Sequence, residues 1–287
     1  MAIVFHFYPT RTDPPEIIHF QPTPEAQKFY DAAFDTKQAL YATRMREAAR
    51  IYRLREHVEE FVATFHLKQA HGLDVGSGDG LLQDVIDDYT GLDISATARA
   101  AYHKPFVQAD ARAMPFRDGE FDVLWTLKML EHVPNPEQAL REMRRVLKPN
   151  GLLYFYPAWL VSDLAAEGYV ARPWRDFGLT GKMVKATVPI QNSPFFIMSY
   201  MLPIRLQRLG TWKVMGGPTM LHYRLLNPNY DVYWTGDSDA VNSIDLFEAY
   251  LWFVSRGDQC LNCPPGLPLL NVGDMPLVFR VKPQSPK

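Results

Sequence analysis

The stretch LDVGSGDG, residues 73–80, combines glycines and carboxylates at a spacing suited to binding a charged ligand. Three glycines occupy alternate positions starting at Gly76, and glycines this close together let a backbone approach its ligand. Asp74 and Asp79 border the same turn. These acids would repel the pyrophosphate bound by many glycine loops, and the GxGxG spacing differs from the GxGxxG of dinucleotide sites. The loop therefore favours a cationic ligand.

Two more acids stand at the ends of the next predicted strands. Asp93 lies in GLDIS, and Asp110 ends PFVQAD. The carboxylate of Asp93 can accept hydrogen bonds from both ribose hydroxyls. The carboxylate of Asp110 can accept a hydrogen bond from an adenine amino group. S-adenosylmethionine carries these groups together with an ammonium and a sulfonium, and it lacks phosphate. With Asp74, the acids form a consistent set for this cofactor.

The elements that position these acids alternate along residues 71–157. Strands are predicted at GLDVGSG, YTGLDIS, PFVQAD, FDVLWT and LLYFYP, and helical segments at LLQDVIDD, ATARAAYH and NPEQALREMRRVL. This alternation predicts a parallel sheet covered on both faces. Ligands in such sheets bind at the carboxyl ends of the strands, where the acids and residues 126–132 fall.

The flanking regions have different sequence patterns. Thr23 and Pro24 predict the start of a helical region, whereas the stretch after Pro157 is rich in proline, glycine, tryptophan and methionine. NSIDLFEAYLWFVSRG predicts a helix capped by Asn242 or Ser243, and two closing strands follow it. We divide the chain into an N-terminal helical region (1–70), a core (71–157), an inserted region (158–242) and a final helix with strands (243–287).

Residues 73–156 resemble a class I S-adenosylmethionine-dependent methyltransferase of the small-molecule type. The matching pieces, in order, are LDVGSGDG, GLDIS, QADARAMPFRDGEFDVL and LKMLEHVPNPEQALREMRRVLKPNGLLYF. The resemblance implies an α/β, Rossmann-like, seven-stranded and mostly parallel sheet with helices on both faces. In this fold the last strand of the sheet is antiparallel. An N-terminal helical cap precedes the sheet, and a large insertion follows the fifth strand.

The resemblance also assigns cofactor-binding roles. It implies Asp74, Gly76, Ser77 and Gly78 for the methionine end, Asp93 and Ile94 for ribose and adenine packing, Asp110 and Ala111 for adenine, and Thr126 for a backbone contact.

Methyl transfer is an in-line displacement at a carbon that the sulfonium activates, so the protein mainly orients the reactants. We predict transfer to an oxygen or nitrogen of a small-molecule acceptor. His132 and Lys128 are the candidate catalytic groups. A structural hydrogen bond is the alternative role for His132, and a solvated strand-end side chain is the alternative for Lys128. Two other functions stay open: transfer or cyclisation of the aminocarboxypropyl arm, and cofactor binding without catalysis.

No metal is predicted. Some related methyltransferases bind a divalent ion through ExxEH, but KMLEH stands here, and Lys128 replaces the first acid. An ammonium repels a cation, and Glu131 alone offers too few oxygen ligands. Asp237 and Asp239, in DSD, are interpreted as an acceptor site or a structural feature.

The inserted region has a local charge bias. Residues 172–224 contain eight Lys or Arg and one acid, Asp176, with aromatic residues between them. Such a segment would suit an anionic, carrier-bound or sugar-linked acceptor as a lid, and it could also rest on an anionic membrane surface. A solvated basic face over an additional core is the alternative. Nucleic acid is not an expected partner, because the sequence holds no recognisable RNA-binding module.

Composition predicts a cytoplasmic protein with a sizeable core. The formal net charge is -2, and 47% of residues are hydrophobic. The N-terminus lacks the pattern of a signal peptide, and the longest uncharged run, residues 186–204, holds three prolines, so no spanning helix is predicted. Cys260 and Cys263 form a lone CxxC pair, interpreted as two reduced thiols in a strand. The oligomeric state stays open.

Overall fold

The computed structural model describes residues 11–12, 24–33, 40–166, 168–170, 172–230, 237–264 and 266–283. The strands are β1 (Arg11–Thr12), β2 (His71–Val75), β3 (Asp88–Asp93), β4 (Phe106–Gln108), β5 (Phe121–Leu127), β6 (Leu147–Tyr156), β7 (His222–Leu225), β8 (Asn242–Ile244), β9 (Gln259–Cys260) and β10 (Leu277–Arg280). The helices are α1 (Pro24–Ala33), α2 (Leu40–Ile51), α3 (Leu54–Thr64), α4 (Pro136–Val146), α5 (Asp163–Ala166), α6 (Leu179–Gln191), α7 (Pro194–Met215), α8 (Leu246–Ser255) and α9 (Leu267–Leu270). Short 3-10 helices span Thr97–Ala101, Leu130–His132 and Trp174–Asp176.

Seven strands form one sheet in the order β4-β3-β2-β5-β6-β10-β9. The pairs from β4 to β6 are parallel, and β10 runs antiparallel to β6. The predicted Rossmann-like sheet, with an antiparallel strand following the insertion, is confirmed. The glycine loop, Asp93 and Lys128 directly follow or close the carboxyl ends of β2, β3 and β5, where ligands bind in sheets of this kind.

The central strands are buried on both sides, as their near-continuous apolar sequences predict. Val123 and Trp125 on one face of β5 and Leu124 on the other are fully buried. Helix α4 buries Ala139, Leu140 and Met143, a spacing that places them on one helical face. The apolar sequence therefore builds a rigid sheet from whose strand ends the site residues project.

The chain divides into two compact units. We call residues 17–130, 135–157 and 276–287 the sheet unit, and residues 1–16, 131–134 and 158–275 the insertion unit. All the predicted cofactor-binding residues belong to the sheet unit, together with Lys128. His132 belongs to the insertion unit.

The insertion unit contains regular structure where the sequence predicted only an irregular texture. Helices α6 and α7 fill much of it, and a small antiparallel sheet has the order β1-β7-β8. The fully buried Arg205 anchors α7, because its Nε donates to Asp245 Oδ2 at 2.8 Å and its Nη1 donates to the carbonyls of Leu269 and Asn271. Among the described residues, no helix is long and apolar enough to cross a membrane.

Two local predictions differ from the structure. Residues 81–87 form turns and bends instead of the predicted helical segment, and Asp88 already belongs to β3. Hydrogen bonds such as Gln83 N–H to Gly80 O span three residues and are not continued into a helical ladder. The helix predicted from Asn242 or Ser243 begins at Leu246, because Asn242–Ile244 pairs as β8 and Asp245 supplies the cap to Phe247 N–H.

The cysteines also differ from their predicted state. Cys260 and Cys263 are joined in a disulfide, with their Cα atoms 5.6 Å apart. The prediction of two reduced thiols is therefore wrong for this structure. A CxxC sequence brings two sulfurs into reach of each other but does not encode their oxidation state.

Candidate functional site

The N–H groups of the glycine loop point inward. Gly76 N–H and Ser77 N–H both donate to the carbonyl of Leu92, at 2.8 and 3.1 Å, and Gly78 N–H donates to Asp93 Oδ2 at 2.8 Å. Gly76 has a φ of +75°, and a Cβ there would collide with the side chain of Met129. A loop whose N–H groups are bonded to the protein's own carbonyl and carboxylate is poorly suited to phosphate.

Asp93 sits at the end of β3 and is held by backbone donors. Its Oδ2 accepts from Gly78 N–H, and its Oδ1 accepts from Ser95 N–H at 2.9 Å. Burial raises the pKa of Asp93, and the backbone hydrogen bonds oppose that rise. Each carboxylate oxygen can accept a further hydrogen bond, as a pair of ribose hydroxyls would require. The neighbouring Ile94 is half-buried, and its carbonyl accepts from Gln27 and Gln108.

Asp74 is a buried acid in contact with an aromatic cluster. Only 3% of its surface is exposed, and Tyr89 Oη donates to its Oδ2 at 2.9 Å. Burial raises the pKa of Asp74 to about 7, although the Tyr89 hydrogen bond lowers it and nearby Asp93 adds to the rise. A cation bound next to Asp74 would favour its ionised form and would bring the pKa down.

Asp110 is already paired. Arg112, which is itself buried, donates from Nε to Asp110 Oδ1 at 2.9 Å and from its backbone N–H to the same oxygen at 2.8 Å. Ala111 between them is buried. The adenine role predicted for Asp110 and Ala111 stays a prediction, and the bidentate arginine gives Asp110 a structural role as well.

Two buried hydroxyls fit a polar ligand. Thr126 in β5 is 1% exposed and Ser77 in the glycine loop is 8% exposed, and neither side-chain oxygen has a hydrogen-bond partner among the described residues. Buried hydroxyls are normally satisfied, so each has capacity for a donor or acceptor supplied by a bound molecule. With two buried acids and inward-turned loop N–H groups, the residues present suit S-adenosylmethionine.

The N-terminal helices contribute contacts that the sequence did not reveal. Arg46 of α2 donates to Asp79 Oδ2 at 2.6 Å and neutralises one of the two acids of the loop. Asp31 of α1 accepts from Ala96 N–H and from the hydroxyl of Ser95, beside Asp93. These partners are distant in sequence from the acids they serve, and no local pattern marks them.

Lys128 occupies an unusual place after β5. Its backbone has a φ of +48°, its N–H donates to the carbonyl of Tyr156 at 2.7 Å, and its Nζ lies 3.9 Å from the centre of the Tyr156 ring. The ring of Tyr52 lies 5.2 Å from the same Nζ. The ammonium is held by two aromatic rings, which is a defined position instead of the freely solvated alternative.

His132 is surrounded by carboxylates within the insertion unit. Its Nδ1 lies 3.2 Å from Asp239 Oδ2, and its Nε2 lies 3.7 Å from Glu131 Oε1. Burial alone would lower the pKa of His132, but Asp239, Glu131 and Asp237 together raise it. Burial raises the pKa of Glu131 to about 7, and His132 opposes that rise.

A family model described as a methyltransferase domain matches residues 73–155. The matched segment runs from β2 to β6 and contains the glycine loop and both unneutralised strand-end acids. Residues 73–155 therefore have the sequence of a methyltransferase domain. The prediction of S-adenosylmethionine as the cofactor is thereby confirmed at the level of the domain.

Several curated methyltransferases are similar over the same part of the chain. The ubiquinone biosynthesis O-methyltransferase of Sodalis glossinidius is 36% identical over 35% of this chain and 48% of its own length. The tocopherol O-methyltransferase of Arabidopsis thaliana is 33% identical over 29% and 23%. The ubiquinone/menaquinone biosynthesis C-methyltransferase of Azotobacter vinelandii is 38% identical over 38% and 44%. The chain spans less than half the length of these relatives.

Among solved structures, the sugar N-methyltransferase KedS8 from Streptoalloteichus matches with a TM-score of 0.33 and 27% identity, over 37% of this chain and 47% of the other. An S-adenosylmethionine-dependent methyltransferase from Mesorhizobium loti matches with a TM-score of 0.30 and 23% identity, over 32% and 49%.

Proposed function

We propose that the protein transfers the methyl group of S-adenosylmethionine to an oxygen or nitrogen atom of a small-molecule acceptor. The observation that carries this proposal is the pair of buried acids at adjacent strand ends, Asp74 and Asp93. Neither has a basic partner among the described residues, and the glycine loop between them turns its N–H groups inward. Such a site binds a cation and hydroxyl groups better than it binds a phosphate.

In the proposed reaction, residues of the chain bind the cofactor and the acceptor. S-adenosylmethionine supplies an activated methyl group when bound. Asp93 would orient the ribose through two hydrogen bonds, and Asp74 would counter the positive charge of the methionine end. Lys128 would hold an anionic group of the acceptor, because its ammonium is fixed over Tyr156. His132 stays a predicted catalytic group.

Product analysis tests the reaction. We expect purified protein, incubated with S-adenosylmethionine and a panel of phenols, amines and carboxylates, to release S-adenosylhomocysteine. Release of methylthioadenosine would instead identify transfer or cyclisation of the aminocarboxypropyl arm. Tight cofactor binding without turnover on any acceptor would favour a binding module.

The insertion unit has an exposed apolar surface on α6 and α7. Of fifteen exposed large hydrophobic side chains in the described part of the chain, ten fall between Val170 and Met220. On α6, Leu179, Met183 and Ile190 recur at helical spacing and share one solvent-facing stripe. On α7, Phe195 and Val214 are each 87% exposed, and Leu206 between them is 50% exposed. A clustered apolar surface of this kind marks an interaction site.

Charge favours an anionic bilayer as the partner. Several arginines of the segment are used in ion pairs, such as Arg205 with Asp245 and Arg208 with Glu248, which explains part of the basic bias structurally. Lys182 on α6 is exposed and borders the apolar stripe. We propose that α6 and α7 rest on an anionic membrane and that the acceptor is a lipid-soluble molecule. Relatives named for ubiquinone and tocopherol methylation support this class of acceptor.

Vesicle sedimentation tests the membrane surface. We expect the protein to sediment with phosphatidylglycerol vesicles and less with phosphatidylcholine, and Ile190→Glu combined with Phe195→Glu to reduce binding at least tenfold. Leu270→Glu, at an exposed apolar position of the same unit, is the matched control. Absence of vesicle binding, or binding that the paired change does not affect, would reject the proposal. A dimer in light scattering that Phe195→Glu dissociates would identify a second copy as the partner instead.

A further inference from the structure

We infer that the insertion unit contains a site for a divalent transition-metal cation formed by Glu131, His132 and Asp237. One ligand atom from each of these residues lies within 4.8 Å of the others. The inference does not use the predicted cofactor-binding residues, which lie in the sheet unit, but it gives His132 a different role from the catalytic one predicted above. It also replaces the sequence-based prediction that the protein binds no metal.

Glu131 points a carboxylate oxygen into this cluster. The residue is 1% exposed, its Oε2 accepts from Ala158 N–H at 3.1 Å, and its Oε1 makes no hydrogen bond within the part of the chain that the structure describes. A buried carboxylate oxygen without a hydrogen bond is costly unless a cation or a donor binds to it. The Oε1 atom lies 3.7 Å from His132 Nε2, on the side of the ring that a metal ion would occupy.

A carboxylate lies beside the far nitrogen of the histidine. Asp239 Oδ2 is 3.2 Å from His132 Nδ1, an ion-pair contact without hydrogen-bond geometry, and its charge favours a proton on Nδ1 and leaves Nε2 as the ligand. Carboxylates commonly hold the far nitrogen of a ligating imidazole and fix both its tautomer and its direction. Asp239 therefore acts as a positioning residue.

The backbone holds the two ligand-bearing segments together. Val241 N–H donates to the carbonyl of Glu131 at 2.9 Å, and Asn242 Nδ2 donates to the carbonyl of Val133 at 2.8 Å. These bonds place the segment that begins at Asp237 beside residues 131–133. The sequence-based argument against a metal counted Glu131 as a lone carboxylate, and Asp237 supplies the second one from a distant part of the chain.

The donor set indicates the class of cation. Two carboxylates offset the charge of a divalent ion, and the imidazole nitrogen favours zinc or manganese over calcium and magnesium, which prefer oxygen ligands. Three protein ligands would leave a coordination position for water or for an oxygen of a ligand. A bound ion would occupy Nε2, so His132 would then be a ligand instead of a base.

Calorimetry on the full chain, freed of metal by a chelator and dialysed, tests the site. Zinc, manganese and magnesium chlorides are titrated separately. We expect one zinc or manganese ion per chain, with affinity at least tenfold weaker in Asp237→Asn and about tenfold weaker in Asp239→Asn, which removes only the positioning carboxylate. Asp118→Asn, which removes an exposed carboxylate elsewhere, should leave affinity unchanged.

The outcomes separate a site from a buried ion-pair cluster. Circular dichroism checks that each variant is folded, and the cobalt(II) absorption spectrum of the wild type gives a readout of nitrogen ligation that His132→Gln should alter. The proposal is overturned if the wild type binds neither zinc nor manganese. It is equally overturned if a folded Asp239→Asn or Asp237→Asn binds them as tightly as the wild type.

Discussion

Buried acids have different partners in the two units. In the insertion unit, the fully buried Asp245 is neutralised by the guanidinium of Arg205. In the sheet unit, Asp74 and Asp93 are equally withdrawn from solvent but are held by neutral donors, the hydroxyl of Tyr89 and backbone N–H groups. A neutralised acid serves the fold, whereas an acid with uncompensated charge costs stability and can bind a cation. Asp110, paired with Arg112, resembles the first kind although it lies in the sheet unit.

Removal of the arginine should have the largest effect. Arg205→Ala leaves the Asp245 carboxylate buried without its counter-charge, and we expect a loss of about 3–5 kcal/mol in the free energy of unfolding. Urea denaturation measures it. Arg175→Ala, at a pair whose arginine side chain is 87% exposed, should change the free energy by less than about 1 kcal/mol. Similar losses in both variants would contradict the comparison.

Burial of Asp74 should make the unfolding free energy depend on pH. Its pKa is about 7 in the folded chain against an ordinary value of 3.8, so the folded state binds the proton more tightly. The stabilisation from this group is complete below pH 3.8 and is lost as the pH rises towards 7. When the pH is raised from 5 to 8, we expect the unfolding free energy of Asp74→Asn to increase by about 2–3 kcal/mol relative to that of the wild type.

Urea titrations at both pH values measure that gain. Asp88→Asn, an exposed acid at the start of the neighbouring strand, should show no such trend. Cofactor affinity of the wild type should fall as the pH drops below 7, because protonated Asp74 no longer attracts a cation. Affinity that is constant from pH 8 to pH 5.5 would count against the assignment.

Substitution of Asp93 tests whether the buried acids of the sheet unit bind the cofactor. Asp93→Ala should weaken S-adenosylmethionine binding by about 1.5–3 kcal/mol, the scale of lost hydrogen bonds to a charged group. Calorimetry measures it, with Asp88→Ala as the control from the opposite end of the same strand. Wild-type affinity in a folded Asp93→Ala would remove the ribose role.

Lys128 should give the smallest change in stability. Lys128→Met removes a cation held over two rings, worth about 0.5–1 kcal/mol at a partly exposed site. We expect turnover to fall while S-adenosylmethionine binds as before, measured by a methyl-transfer assay beside calorimetry. Undiminished turnover would place Lys128 among the structural residues.

The sequence predicted the parts of the site that depend on local pattern. Glycines and acids at strand ends follow from the alternation of strands and helices, so Asp74, Asp93 and Thr126 could be placed from the sequence. The partners could not, because Arg46 approaches Asp79, and Asp239 approaches His132, only once the chain has folded. Contacts across such separations leave no periodic trace.

The inserted region was harder for a different reason. On α6 the apolar residues Leu179, Met183 and Ile190 face solvent, whereas a helical pattern in sequence is normally taken to mark the buried face. Sequence periodicity identifies a stripe but not what covers it. The ion pair of Arg205 and Asp245 likewise turns a residue counted as surface charge into part of the core.

The disulfide offers a practical use. The chain has two cysteines, both partly exposed and separated by two residues at the end of the short strand β9. Mild reduction would free two neighbouring thiols, and a bifunctional dye that bridges them would attach once per molecule, without any engineered residue. A fluorophore fixed in this way would report vesicle binding at concentrations far below those that calorimetry needs.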